Sequence, residues 1–197
     1  MSCTTKLSVS ILRDCDEPNV AGIEQEILLI SVDDLLASGI TKDVTTPNSL
    51  LTDIACESGT QGYKIDGIKQ IIRYTNSFVT SEDSLNGVKH MIEGIRIYDQ
   101  SQEARDQINR LIAGGRFFAV LERKWKGVDD DDAFLFFGIE HGLELLDLSD
   151  ASNENDGCTV ISLGTPEGFK EPYLPHVLLE TDYDTTKAAF DLFFATA

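Results

Sequence analysis

The sequence predicts a mainly β fold, a β-sandwich or barrel with one flanking α-helix, a long loop and a short C-terminal helix, α+β overall. Three observations predict it. Apolar residues recur at the two-residue spacing of strands in several separate runs, whereas only one interior segment, Gln102 to Ala113, carries a clear helical stripe. Helices do not follow nearly every strand, as a doubly wound parallel sheet requires. A content of 42 % hydrophobic and 25 % charged residues over 197 positions supports one sizeable core and argues against wholesale disorder. The expected organisation is an extended N-terminal segment over residues 1–22 and a single β-rich domain over 23–197, with a long loop at 40–66.

The first element is Glu26 to Val32 (EILLISV), an Ile-rich apolar run of the kind buried strands use. Asp33 to Gly39 reads as one helical turn or a short loop. From Ile40 to Asp66 the pattern dissolves into turn chemistry, Thr-Pro-Asn and Ser-Gly-Thr-Gln-Gly, and a loop of that length is usually functional or disordered. Its apolar residues Leu50, Leu51 and Ile54 need cover, from the body of the domain or from a neighbouring subunit.

Gly67 to Val79 alternates, with Ile68, Ile72, Tyr74 and Phe78 on one side and Lys69, Arg73, Thr75 and Ser77 on the other, which predicts a strand with one wet face. In Val88 to Tyr98 the apolar parity slips between Ile92 and Ile95, and Glu93-Gly94 marks a bulge. The helix over 102–113 places Ala104, Ile108, Leu111 and Ile112 on one stripe. Ser101 is its N-cap, Glu103 and Asp106 lie near its start, Arg110 lies near its end, and Gly114 stops it.

Arg116 to Leu148 then reads as two or three consecutive strands, the first two joined by a turn carrying Asp129, Asp130, Asp131 and Asp132. Within Ala133 to Leu145, taken as one strand, Leu135, Phe137, Ile139, Leu143 and Leu145 share a face, and Glu140, Gly142 and Glu144 take the other. Phe134 and Phe136 make its beginning apolar on both sides, so it requires a helix, a second sheet or another subunit over each face. Ser149 to Gly157 is a polar turn, Cys158 to Leu163 a strand, and Pro166, Pro172 and Pro175 hold an extended stretch. Thr185 to Phe194 closes the chain as a short helix capped by Thr185 or Asp184.

Charge bounds the function. With 16 Lys and Arg against 34 Asp and Glu the formal net charge is -18, which repels phosphate backbones and anionic lipid and disfavours sequence-specific DNA binding. Cys3, Cys15, Cys56 and Cys158 form no C-x-x-C pair, so reduced thiols are expected. No run is apolar for the roughly 18 to 20 residues of a membrane span, and the N-terminus lacks the apolar stretch of a signal peptide.

No catalytic signature is present. His90, His141 and His176 are far apart and on different expected elements, without the close spacing of ligand pairs. His141 and Glu144, three apart on a strand, would point to opposite faces. The Asp129 to Asp132 run lacks the glycine turn and distal glutamate of a calcium loop and reads as a solvated hairpin tip. In SDASNENDG, Leu163 stands where a closing glutamate belongs. Gly114-Gly115 ends a helix and is followed by no Lys-Ser or Lys-Thr, unlike a phosphate cradle. Trp125 with Arg123, Lys124 and Lys126 is the one basic-aromatic cluster, and it reads as a strand end, because a nucleic-acid surface needs a basic stripe. Neither a metal nor a cofactor is expected.

The segments DCDEPNVAGIEQEILLISVDDL, GGRFFAVLERKWKG, AFLFFGIEHGLEL and CTVISLGTPEGFKEPYLPHVLLETDYDTTKAAFDLFF, in that order around a Thr-rich loop and a helix, resemble small virion proteins of phages infecting Bacteroides-type bacteria. Within that group the chain is most similar to tail tube or tube-like ring proteins, a likeness of layout that spans most of its length. The resemblance implies a non-enzymatic virion protein, made in the host cytoplasm, forming hexameric rings that stack into a channel for DNA beside other virion proteins. A small-molecule substrate or membrane partner is not implied. Residues 40–66 would then reach a neighbouring ring, with Thr45, Thr46, Pro47, Leu50, Leu51, Ile54, Phe134 and Phe136 at subunit interfaces. Residues 67–79 and 88–98 would line the channel, and 102–113 would be the outer helix. Asp129, Asp130, Asp131, Asp132, Glu140 and Glu144 would form an acidic surface or lumen that lets DNA slide by repulsion. Lys69, Arg73, Lys89 and Arg96 depart from that pattern, so either they pair with carboxylates or their strands do not face the lumen. The alternatives are a neck, tail-terminator or capsid-associated protein, and an acidic protein-binding module or DNA mimic.

Overall fold

The computed structural model describes residues 10–11, 20–42 (without the side chains of 36–38), 50–57, 62–66, 71–80, 86–127 and 129–192. Thr45, Thr46, Pro47, Ile68, Lys69, Phe193 and Phe194, and most of the N-terminal segment, lie outside them.

The chain is mainly β. Its strands are β1 (Ile23–Ser31), β2 (Leu35–Lys42), β3 (Leu50–Cys56), β4 (Tyr63–Asp66), β5 (Arg73–Val79), β6 (Gly87–Ile97), β7 (Phe117–Arg123), β8 (Phe134–Phe137), β9 (Glu144–Asp150), β10 (Thr159–Gly164) and β11 (His176–Leu178). Two helices, α1 (Gln102–Ile112) and α2 (Tyr183–Leu192), accompany them. The larger sheet runs β2-β3-β11-β8-β7-β1-β4 and the smaller β5-β6-β10-β9. All neighbours are antiparallel except β11 and β3, where Val177 pairs with Leu50.

Strand alternation decides how the layers pack. In β1, β7 and β8 the odd residues Ile27, Leu29, Ala119, Leu121, Leu135 and Phe137 meet Ile92, Ile95, Ile161 and Leu163 of the smaller sheet. The even residues Leu28, Ile30, Phe118, Val120, Phe134 and Phe136 form a second core on the opposite face with Leu51, Ile54, Leu178 and Phe190. Phe134 lies 5.3 Å from Phe190 and 5.8 Å from Tyr183 between ring centroids, so α2 is what covers that face. The central strands are therefore greasy on both sides because the chain lays a sheet over one face and a helix over the other.

The bulge falls at Glu93-Gly94. Ile161 pairs with Ile95 but Leu163 with Ile92, so β6 spends one extra residue there and both isoleucines point inward. Gly94 sits at φ +75°, where a Cβ would lie 2.8 Å from the Ile71 carbonyl oxygen. Ser101 caps α1, its Oγ accepting from Ala104 N at 3.2 Å. Ile108 and Leu111 are buried, but Ile112, expected on the same stripe, is exposed.

Four expectations are corrected. Leu35 to Lys42 is a strand preceded by a 3-10 turn over Val32–Asp34, where a helical turn or loop over 33–39 was expected. The expected loop over 40–66 contains the end of β2 and all of β3 and β4; β3 pairs with the preceding β2 and with the distant β11, and β4 pairs with β1. Ala133 to Leu145 is not one strand: β8 ends at Phe137, the chain turns with Gly142 N donating to Gly138 O at 2.7 Å, and β9 joins the other sheet. The glycines that pass for outward-facing strand positions are there for φ +82° and +69°. The α2 cap is Asp182, whose Oδ1 accepts from Thr185 N at 2.8 Å, and not Thr185 or Asp184.

Candidate functional site

The acidic turn joins β7 to β8, with Asp132 N donating to Lys126 O at 2.8 Å. Arg123 holds the turn by donating from Nε to the Asp132 carbonyl at 2.9 Å. The side chains of Asp129, Asp130 and Asp131 are in solvent and Asp132 is half-buried. Glu140 and Glu144 lie beyond the opposite end of β8, so these six acids do not form one continuous surface. Glu140 is 3.9 Å from Lys42, and Glu144 accepts from Glu167 N at 3.3 Å. Among the described residues no group of three or more His, Cys, Asp or Glu is arranged to hold a metal ion.

Of the residues expected at subunit contacts, Leu51, Ile54, Phe134 and Phe136 are buried within the chain itself, and Phe136 has no exposed surface at all. They have nothing to offer a neighbour, because the chain's own α2 and β11 supply the cover. Leu50 is half-buried. Arg73 pairs with Glu93 at 2.9 Å and Arg96 with Asp156 at 3.4 Å, so two of the four departures from the acidic pattern find carboxylates, while Lys69 lies outside the described residues.

Sequence spacing concealed a polar centre. The 165–176 segment stitches the two sheets together: Thr165 N donates to His90 O at 2.9 Å, His90 N to Thr165 Oγ1 at 2.9 Å, and Val88 and Glu171 exchange backbone bonds at 2.8 and 2.9 Å. The Glu171 carboxylate, buried, accepts from Glu140 N and His141 N at 3.2 Å each and thereby holds the Gly138–Gly142 turn. Burial raises its pKa against the opposing pull of those two N–H groups. His90, also buried, shares a 3.0 Å hydrogen bond between Nε2 and the Tyr173 carbonyl. Its pKa is pushed down to about 4 by burial, the Tyr173 bond opposing this and nearby His176 adding to it. Two of the three histidines, His90 and His176, thus do come together in a packed interior. His141 stands on the turn, not on a strand, its ring 4.8 Å from Phe169.

A second cluster fastens α2. Tyr183 OH donates to Glu122 Oε1 at 2.7 Å, Lys126 Nζ lies 2.8 Å from the same oxygen, and Lys187 Nζ is 3.7 Å from Oε2. Burial disfavours the Lys126 charge, but its bonds to Glu122 and Tyr183 overcome that and raise its pKa. The lysine at the expected basic-aromatic cluster is therefore a fastener for the helix.

The rest of that cluster borders a cleft of about 650 Å³, lined in part by Ile23, Ile72, Arg73, Tyr74, Arg123 and Trp125. The Arg123 guanidinium lies over the Trp125 ring at 5.0 Å, and the buried indole Nε1 has no hydrogen-bond partner. The expectation of a plain strand end overlooked it because Ile72, Arg73 and Tyr74 arrive from the other sheet.

Among the described residues no helix is long and apolar enough to cross a membrane. Comparison with models of known protein families, with characterised proteins and with solved structures finds no match, so geometry alone carries the functional reading.

Proposed function

We propose that this chain is a non-enzymatic virion structural protein that assembles into stacked rings, a phage tail tube through which DNA passes. The observation that carries the reading is the pair of open sheets. Among the described residues neither sheet closes on itself, which leaves β2, β4, β5 and β9 as edges. Unpaired edges are templates for another chain, and an assembly that shares them removes the liability they represent. A formal charge of -18 supports passage of DNA past such a surface without capture. Burial of Leu51, Ile54, Phe134 and Phe136 inside the subunit moves the expected contacts from those side chains to strand edges and exposed turns.

Electron microscopy and light scattering of the purified chain test the proposal. Hexameric rings that stack into tubes support it. Rings that cap but never stack favour the neck or terminator alternative. A chain that stays monomeric at high concentration overturns it, and salt-sensitive binding of a basic protein by that monomer points to the acidic module.

A further inference from the structure

We infer that the cleft beside Trp125 binds a single carboxylate carried on an apolar body. The polar side chains lining it are donors. The Trp125 indole N–H is buried without an acceptor, an arrangement a fold tolerates at a cost and a ligand oxygen relieves. Arg123 stacks on that indole, and two of its nitrogens are spent on the Asp132 carbonyl, which orients its charge without a carboxylate partner among the described residues. Arg73 brings a second guanidinium from the opposite sheet, its Nε bonded to Glu93. Among the described residues no carboxylate lines the cleft, in a chain with more than twice as many acids as bases. Ile23, Ile72 and the Tyr74 ring supply apolar surface for the body of the ligand.

Size and field narrow the class. A cleft of about 650 Å³ matches the roughly 300–1,000 Å³ of small-molecule sites. The chain as a whole carries a formal charge of -18, and Asp129, Asp130 and Asp131 on the β7–β8 connection are exposed. That field penalises di- and polyanions more than a monoanion, so phosphates and nucleic acid are selected against. The same carboxylate chemistry is available from a free aromatic acid or from the end of a peptide chain. Neither depends on ring assembly.

Trp125 is the sole tryptophan, so its emission reads this cleft and nothing else. The full chain is titrated with phenylacetate, with phenylacetamide, and with acetyl-Ala-Phe carrying a free or an amidated C-terminus. A saturable change in emission with an acid and not with its amide is expected. Saturation by phenylacetate identifies a free acid as sufficient, and saturation by the peptide acid alone identifies a chain end. Arg73→Met, on an exposed side chain whose loss leaves the core intact, weakens binding about tenfold through one lost charge-assisted contact. Trp125→Phe, followed by calorimetry, also weakens it. The inference is overturned if neither acid saturates, if amides bind as well as acids, or if Arg73→Met binds like the parent while circular dichroism shows it folded.

Discussion

Two turns bracket β8, and they differ in every respect that a sequence displays. Asp129 to Asp132 carries four adjacent charges, while Gly138 to Gly142 carries two glycines and no motif. The first leaves three of its carboxylates in solvent. The second sends β9 into the other sheet and is held by the buried Glu171, thirty residues away from the backbone it grips. Charge density at a surface mostly reports solvation, whereas a single carboxylate in the interior, bonded to backbone N–H groups, fixes how two sheets are joined.

The strongest way to break that contrast is Glu171→Ala. It leaves the part-buried Glu140 and His141 N–H groups without their acceptor, and a loss of about 4 kcal/mol in a urea titration is expected. Glu171→Gln, which keeps one acceptor oxygen, should recover much of it. An equal loss from both variants would show that a single acceptor oxygen does not suffice and that both carboxylate oxygens are required.

Acidification attacks the same centre through His90. Its folded pKa of about 4 lies below the ordinary 6.5, so the unfolded chain binds more protons between those values. Stability therefore rises with pH across the window and is lost as pH falls from 6.5 toward 4, by about 3 kcal/mol in all. Glu171, with its pKa raised by burial, acts in the opposite direction just above 4.5 and blunts the lower part of the slope. Denaturation midpoints measured across pH for the parent and for His90→Gln check this, and an unchanged slope in the variant would assign the loss elsewhere.

Gly142→Ala tests the turn itself. At φ +69° the new Cβ would lie 2.9 Å from Val32 Cγ2 and 3.1 Å from Arg116 Cβ, and about 2 kcal/mol of destabilisation is expected. The smallest effect belongs to the acidic turn. Replacing Asp129, Asp130 and Asp131 together by Asn should change stability by no more than about 0.5 kcal/mol, with relief of like-charge repulsion making the sign favourable at low salt. A large loss there would place those carboxylates in a role that solvent exposure does not reveal.

Much of the fold is legible in residue order. The apolar runs at Glu26 to Val32 and Phe134 to Phe137, the parity slip at Glu93-Gly94 and the Ser101 cap each record a local steric or hydrogen-bonding demand, and the structure meets each one. Short strands whose partners are remote leave little such record. Leu50 and Leu51 become strand residues by pairing with Val177 and Leu178, more than a hundred residues later. The candidate sites were less legible for the same reason: the cleft beside Trp125 takes Arg73 and Tyr74 from the second sheet, and His90, His176 and Glu171 approach only when the two sheets pack against each other.

What the sequence by itself determined is therefore the class and the layering. Successive side chains of a strand point to opposite faces, so an unbroken apolar run such as Phe134 to Phe137 makes two apolar faces, and two such faces demand two covers. Which elements provide them was decided by tertiary structure. Gly138 and Gly142 cut an apparently continuous strand in two because only glycine takes those backbone angles freely, and α2 rather than a neighbouring subunit came to lie over Phe134 and Phe136.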